Sequence, residues 1–161
     1  MSHTVTITRT TTSNTGTAVL VNTGFLGSTP GLLKLAQLVL GAACTGLMGY
    51  YINSGYHGFT APTLFYLISA VSCLMGTFCL FVACLFSLSS ATFISKTNFE
   101  VIFHTVAFIF YLVASVLLIV EIHRYSYSTY NQYLAASIMG FVMAVLYAIS
   151  TYFAYRTHKT I

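Results

Sequence analysis

The chain contains no tryptophan and no aspartate, only two acidic residues and two prolines in 161 positions, and charged residues make up 5% of it. A soluble domain carries about a quarter of its residues as charges, so this surface is not built to face water. With Glu100 and Glu121 as the whole acidic complement, chemistry that needs paired carboxylates is excluded. No serine, histidine and aspartate pattern, H-E-x-x-H sequence or glycine-rich phosphate loop is present either. No catalytic residue and no cofactor is therefore expected. His57, Glu121 and His123 could converge as a metal site, but three residues of unfixed geometry are a weak signal and no metal is assigned.

What remains is overwhelmingly apolar: 57% of the residues are hydrophobic and the mean hydropathy is +0.85. One domain fits in this length, and stretches of about 20 apolar residues, enough to cross a bilayer, claim most of it. No charge occurs between Leu35 and Ser95, too long a run for one span. It must turn where Asn53, Ser54, Gly55, His57, Gly58 and Pro62 crowd together, since such residues favour turns. This predicts spans over residues 31–52 and 62–87. A third, 101–120, lies between Glu100 and Glu121, and a fourth, 134–155, ends at Arg156. Each run is continuous rather than alternating, so helices are expected, with every backbone group bonded within its own span. The fold class is all-α, a four-transmembrane-helix bundle with short loops.

An even number of spans puts both termini on one side. That side carries Arg9, Lys34, Lys96, Arg156 and Lys159, against Arg124 opposite, and the positive-inside bias places it in the cytosol. The exoplasmic connections, 53–61 and 122–133, are short and aromatic. Tyr50, Tyr51, Tyr56, Phe59, Tyr125, Tyr127, Tyr130 and Tyr133 suit the headgroup layer as anchors, or alternatively a partner surface. Residues 1–29 form a threonine-rich tract without a core pattern, expected to be a disordered cytosolic tail, either a plain solvated leader or a phosphorylation target. It shows neither a cleavable signal pattern nor a glycine after Met1, so the first span is expected to act as an uncleaved anchor. Residues 156–161 are expected to be a short basic cytosolic tail.

Cys44, Cys73, Cys79 and Cys84 all fall within predicted spans, so no disulfide staples a loop and small apolar packing is their ordinary use. Cys84, near the cytosolic end of the second span, is the site to consider for S-palmitoylation. Small residues recur every four positions at Gly41, Thr45 and Gly49 and at Ala136, Gly140, Ala144 and Ala148. Such grooves admit a neighbouring helix closely, whether within the bundle or from an oligomeric or membrane-protein partner. Lys34 and Gln37 share a face at the start of the first span, as do Glu100 and His104 at the start of the third. Lys34 and Glu100 either pair or reach the headgroups separately.

The run Pro30-Gly31-Leu32-Leu33-Lys34-Leu35-Ala36-Gln37-Leu38-Val39-Leu40-Gly41 resembles the opening of the first helix in MARVEL-domain tetraspan proteins, the group of the chemokine-like-factor MARVEL proteins and plasmolipin. Small size and tight loops over residues 29–155 agree with it. Claudins and tetraspanins fit less well, because the chain has no tryptophan, no long first loop and no cysteine-rich second loop. The resemblance implies a non-enzymatic role in membrane apposition, vesicle trafficking or stabilisation of a partner membrane protein, at the plasma membrane or on vesicles. It implies no catalytic residues. The expected partners are membrane lipids and a membrane protein or a second copy, not nucleic acid. Two alternatives stay open: an oligomeric channel or small-solute pore lined by Ser69, Ser72 and Thr77, and a lipid-binding or lipid-sensing protein.

Overall fold

A computed structural model describes residues 23–54, 60–86, 98–124 and 130–160. A single turn, α1 (Thr23–Leu26), precedes four long helices: α2 (Thr29–Asn53), α3 (Ala61–Phe86), α4 (Phe99–Arg124) and α5 (Tyr130–Thr160). All four are long and apolar enough to cross a membrane.

Local chemistry sets the helix ends. Ser28 caps α2 by accepting a hydrogen bond from the Gly31 amide at 3.3 Å, and Pro30 lies in the first turn, where its missing N–H has no partner to lose. At the other end the Ser54 amide and hydroxyl both donate to the Tyr50 carbonyl, at 2.9 and 2.8 Å. The start of α3 is fixed by Thr63, whose hydroxyl accepts from the Thr60 amide at 3.2 Å and donates to the Thr60 carbonyl at 2.9 Å.

The helices form a square. α2 packs on α3 and α5, and α4 packs on α3 and α5, whereas the diagonal pairs α2/α4 and α3/α5 make no close backbone approach among the described residues. Successive helices run in opposite directions, so the starts of α2 and α4 and the end of α5 lie together, here called the terminal end of the bundle.

Polarity is arranged inside out relative to a soluble protein. Tyr66, Tyr111, Tyr147, His104, Gln37 and Thr77 are fully buried, while Ile68, Met75, Ile102, Ile109, Val116, Val142 and Val145 are exposed. In lipid the outer face needs only to be apolar, and the buried polar side chains gather on the inner face, where other helices can offer them partners.

Several boundaries differ from the sequence reading. Helix α4 includes both Glu100 and Glu121 instead of lying between them, because a helix supplies its own backbone bonds and a carboxylate at the membrane edge does not end it. Helix α5 has 31 residues rather than the expected 134–155. At 1.5 Å per residue it extends about 46 Å, longer than the roughly 30 Å hydrocarbon layer, so its ends pass beyond it. The expected tail 156–161 is thus helical through Thr160. Of the expected tail 1–29, residues 1–22 lie outside the described residues, whereas Thr23–Leu26 is helical and α2 begins at Thr29.

Candidate functional site

Lys34 lies in the second turn of α2, pointing inward. Its Nζ donates to Glu100 Oε1 across the α2/α4 diagonal, forming a hydrogen-bonded ion pair. Lys34 is 3% exposed and Glu100 13%. A charge held alone in such a place is expensive, and pairing removes most of the reason for either group to leave. His104, one turn further along α4 and fully buried, puts Nε2 3.6 Å from the same carboxylate oxygen, too far for a hydrogen bond. Neither of its ring nitrogens has a hydrogen-bond partner. The Phe25 ring of α1 lies 5.8 Å from Lys34 Nζ, within cation–π range, and stacks at a tilt on Phe81 of α3 at 6.2 Å. Beside this cluster, Gln37 Nε2 donates to Ser150 Oγ at 2.8 Å and to the Leu146 carbonyl at 3.3 Å, tying α2 to α5.

Tyrosines fill the middle of the bundle. Tyr111 and Tyr147 stack at 5.6 Å, and Tyr66 meets Tyr111 edge-on at 6.4 Å. Two tyrosines bridge the second diagonal: Tyr66 Oη donates to the Ala136 carbonyl at 2.7 Å, and Tyr147 Oη bonds Thr77 Oγ1 at 2.8 Å. Tyr147 Oη also donates to the Cys73 carbonyl at 3.4 Å. Between neighbours α4 and α5, Ser137 Oγ donates to the Ser115 carbonyl at 3.0 Å. Opposite helices are thus linked by long polar side chains across the axis, and adjacent helices by Ser137 and by Gln37.

The residues singled out for helix packing divide into two groups. Gly41 faces Leu74 and Met143, where an added Cβ would lie 3.3 and 3.5 Å from them, and Ala136 and Ala144 are buried. Gly140 is tighter still: a Cβ there would overlap Ser115 Oγ and sit 2.9 Å from the Tyr66 ring. Gly49, by contrast, faces open space and Ala148 is exposed. Thr45 lies between the two groups, half-buried, its hydroxyl enclosed without a hydrogen-bond partner. Sequence periodicity passed over the outward positions Ala42, Ala43 and Gly46, all exposed, with nothing within 4 Å of a Cβ at Gly46. Between the exposed side chains of Val39 and Tyr50, the outer face of α2 is thus a shallow notch of small residues.

Other expected sites are placed differently from the reading. Cys84 is 4% exposed, packed inside the bundle near the end of α3, and on α3 the exposed cysteine is Cys79. The residues suggested as a pore lining do not share a path, since Ser69 and Thr77 point inward and Ser72 outward. Of the metal candidates, His57 lies outside the described residues and His123 is exposed, its Nδ1 3.1 Å from the Ile119 carbonyl. Among the described residues no three metal-ligating side chains come together. Of the aromatic anchors, Tyr50 and Tyr130 are exposed, Tyr51 and Tyr133 pack on one another at 6.0 Å, and Tyr56, Phe59, Tyr125 and Tyr127 lie outside the described residues.

An all-helical bundle with four apolar spans, its polar groups turned inward, defines a multi-pass integral membrane protein. The MARVEL family, described as a membrane-associating domain, matches residues 25–153, and the chain belongs to it. Among curated relatives, it is similar to MARVEL domain-containing protein 1 of Xenopus laevis, 26% identical over 153 residues covering 90% of this chain and 85% of the relative. It is also similar to Protein singles bar of Drosophila melanogaster, 29% identical over 145 residues, covering 84% and 82%. No solved structure matches it significantly.

Proposed function

We propose that this protein is a non-enzymatic membrane organiser that holds a partner membrane protein, or a second copy of itself, against the outer face of α2 during membrane apposition or trafficking. The observation that supports this reading is the contrast between a filled interior and a notched exterior. Tyr66, Tyr111 and Tyr147 occupy the bundle axis, so no solute path runs through the middle of a single bundle. The Ala42, Ala43, Gly46 and Gly49 face lets another helix backbone approach closely, the main source of helix association where lipid and side chain are equally apolar. Lipid sensing has no observation that favours it over partner binding. We place both termini in the cytosol, a reading supported by the distribution of the cations, and the chain in the plasma membrane or a vesicle membrane, as the family resemblance implies.

The test is Gly46→Leu, a substitution that meets nothing inside the bundle. Complexes extracted from native membranes in nanodiscs are sized and their proteins identified by mass spectrometry. Loss of a stoichiometric partner or of the dimer, with unfolding stability unchanged, supports the reading. An unchanged complex refutes the assigned face, and a ring-sized homo-oligomer that conducts ions in liposomes refutes the organiser role.

A further inference from the structure

We propose that Lys34, Glu100 and His104 form a proton-operated latch: on taking up a proton His104 takes over the Glu100 carboxylate, Lys34 is released to the headgroup layer, and α1 lifts from the bundle.

The arrangement contains two competitors for one acceptor. Glu100 Oε1 accepts from Lys34, while His104 Nε2 waits 3.6 Å from the same oxygen with no other partner. A small rotation of the Glu100 side chain brings the carboxylate within hydrogen-bond distance of the ring. His104 is enclosed on every side. Its charged and titratable neighbours are Lys34 from α2, Glu100 on its own helix and Tyr147 from α5, whose ring centroid is 5.8 Å away. Cys84 of α3 lies within electrostatic reach of Lys34 and Glu100. With the imidazole neutral, the lysine and glutamate charges cancel. A proton on His104 leaves one positive charge in excess inside the bundle, and such an excess is not sustained in a low-dielectric interior.

Lys34 is the group able to leave. It stands in the second turn of α2, close to the membrane edge, on a flexible four-carbon stem that can carry an ammonium to the interface. His104 is deeper and rigid, packed edge-on to Phe103 at 5.4 Å. The Phe25 ring, 5.8 Å from Lys34 Nζ, lies over the ammonium. Departure of the ammonium removes the cation–π contact, so that α1 is held by the Phe81 ring and by the Ser28 amide and hydroxyl that donate to the Phe25 carbonyl at 3.1 and 2.6 Å. The output is a change in how the segment preceding α2 sits on the bundle.

The absence of tryptophan from the chain provides a reporter: Phe25→Trp in nanodiscs carries one indole, at the latch. Acidification from about pH 8 to about pH 5, the range in which histidine changes charge, is expected to shift its emission to the red. In His104→Gln the emission should stay at its high-pH position throughout, and in Glu100→Gln it should be red-shifted at every pH. A transition that survives in His104→Gln, or none in the presence of His104, overturns the proposal. Should Phe25→Trp fail to fold, spectra of the unmodified chain labelled with ¹³C at histidine and lysine replace it, with His104 and Lys34 assigned by the signals missing in His104→Gln and Lys34→Gln. A ring that remains neutral down to about pH 5 overturns the latch, and one that titrates together with the Lys34 side-chain signals supports it.

Discussion

Gly140 offers the sharpest test of how closely α5 is packed. An alanine there places a Cβ into Ser115 Oγ of α4 and 2.9 Å from the Tyr66 ring of α3. The serine oxygen has no hydrogen-bond partner to lose, but it must leave its rotamer to make room. The tyrosine cannot give way easily, because its Oη is held by the Ala136 carbonyl at 2.7 Å, one turn before Gly140 on the same helix. Overpacking of this kind costs about 1–3 kcal/mol, and two overlaps at one atom put the cost near the upper end. Replacing glycine by alanine in a helix contributes about 1 kcal/mol in the opposite direction. The net expectation for Gly140→Ala is a loss of about 2 kcal/mol. Ser115→Ala leaves only the ring in the way and should return about 1 kcal/mol of that loss in a double-mutant cycle. Unfolding by titration with denaturing detergent in bicelles, followed by far-ultraviolet circular dichroism, measures both. A Gly140→Ala protein as stable as the parent would refute the packing argument, and so would a cycle with no coupling.

Two further perturbations follow from the diagonal links. Tyr147→Phe strands the Thr77 hydroxyl in the bundle core and should cost about 1–2 kcal/mol, whereas adding Thr77→Val to it should recover most of the loss, in the same unfolding assay. Lys34→Gln leaves the Glu100 carboxylate buried without its cation and should cost about 3–5 kcal/mol, with most of it restored in Lys34→Gln/Glu100→Gln. Glu100→Gln alone should cost less, because the lysine left behind can reach the headgroups; equal losses for the two single variants would contradict this asymmetry.

The number of spans and their approximate extents were legible in the sequence because hydrophobic length is a one-dimensional property. A charge-free run of 61 residues, from Leu35 to Ser95, cannot cross a bilayer once, and the turn residues near Gly55 mark where it returns. Lys34 and Glu100 could be named together for a similar reason, as the charged residues nearest the beginnings of two spans. The family followed from one stretch, Pro30 to Gly41, and the match over residues 25–153 rests on far more of the chain.

Which way each helix faces was decided only by the tertiary structure. In a soluble helix the polar face declares itself, but here both lipid and core are apolar, so the pattern carries little contrast. Helix α2 has small residues at positions 41, 42, 43, 45, 46 and 49, nearly all round its circumference, and periodicity alone could not say that Gly41 meets Met143 while Gly46 meets nothing. Tyr66, Tyr111 and Tyr147 sit within runs that read simply as apolar, and their burial across the axis depends on partners at sequence separations of 70 residues or more for the two that bond. The sequence by itself determined a four-span membrane protein, because the free energy of moving apolar length out of water is summed along the chain. The three-dimensional packing determined the sealed axis, the buried ion pair and the open notch on α2, because these depend on which atoms from four separate helices arrive at the same point.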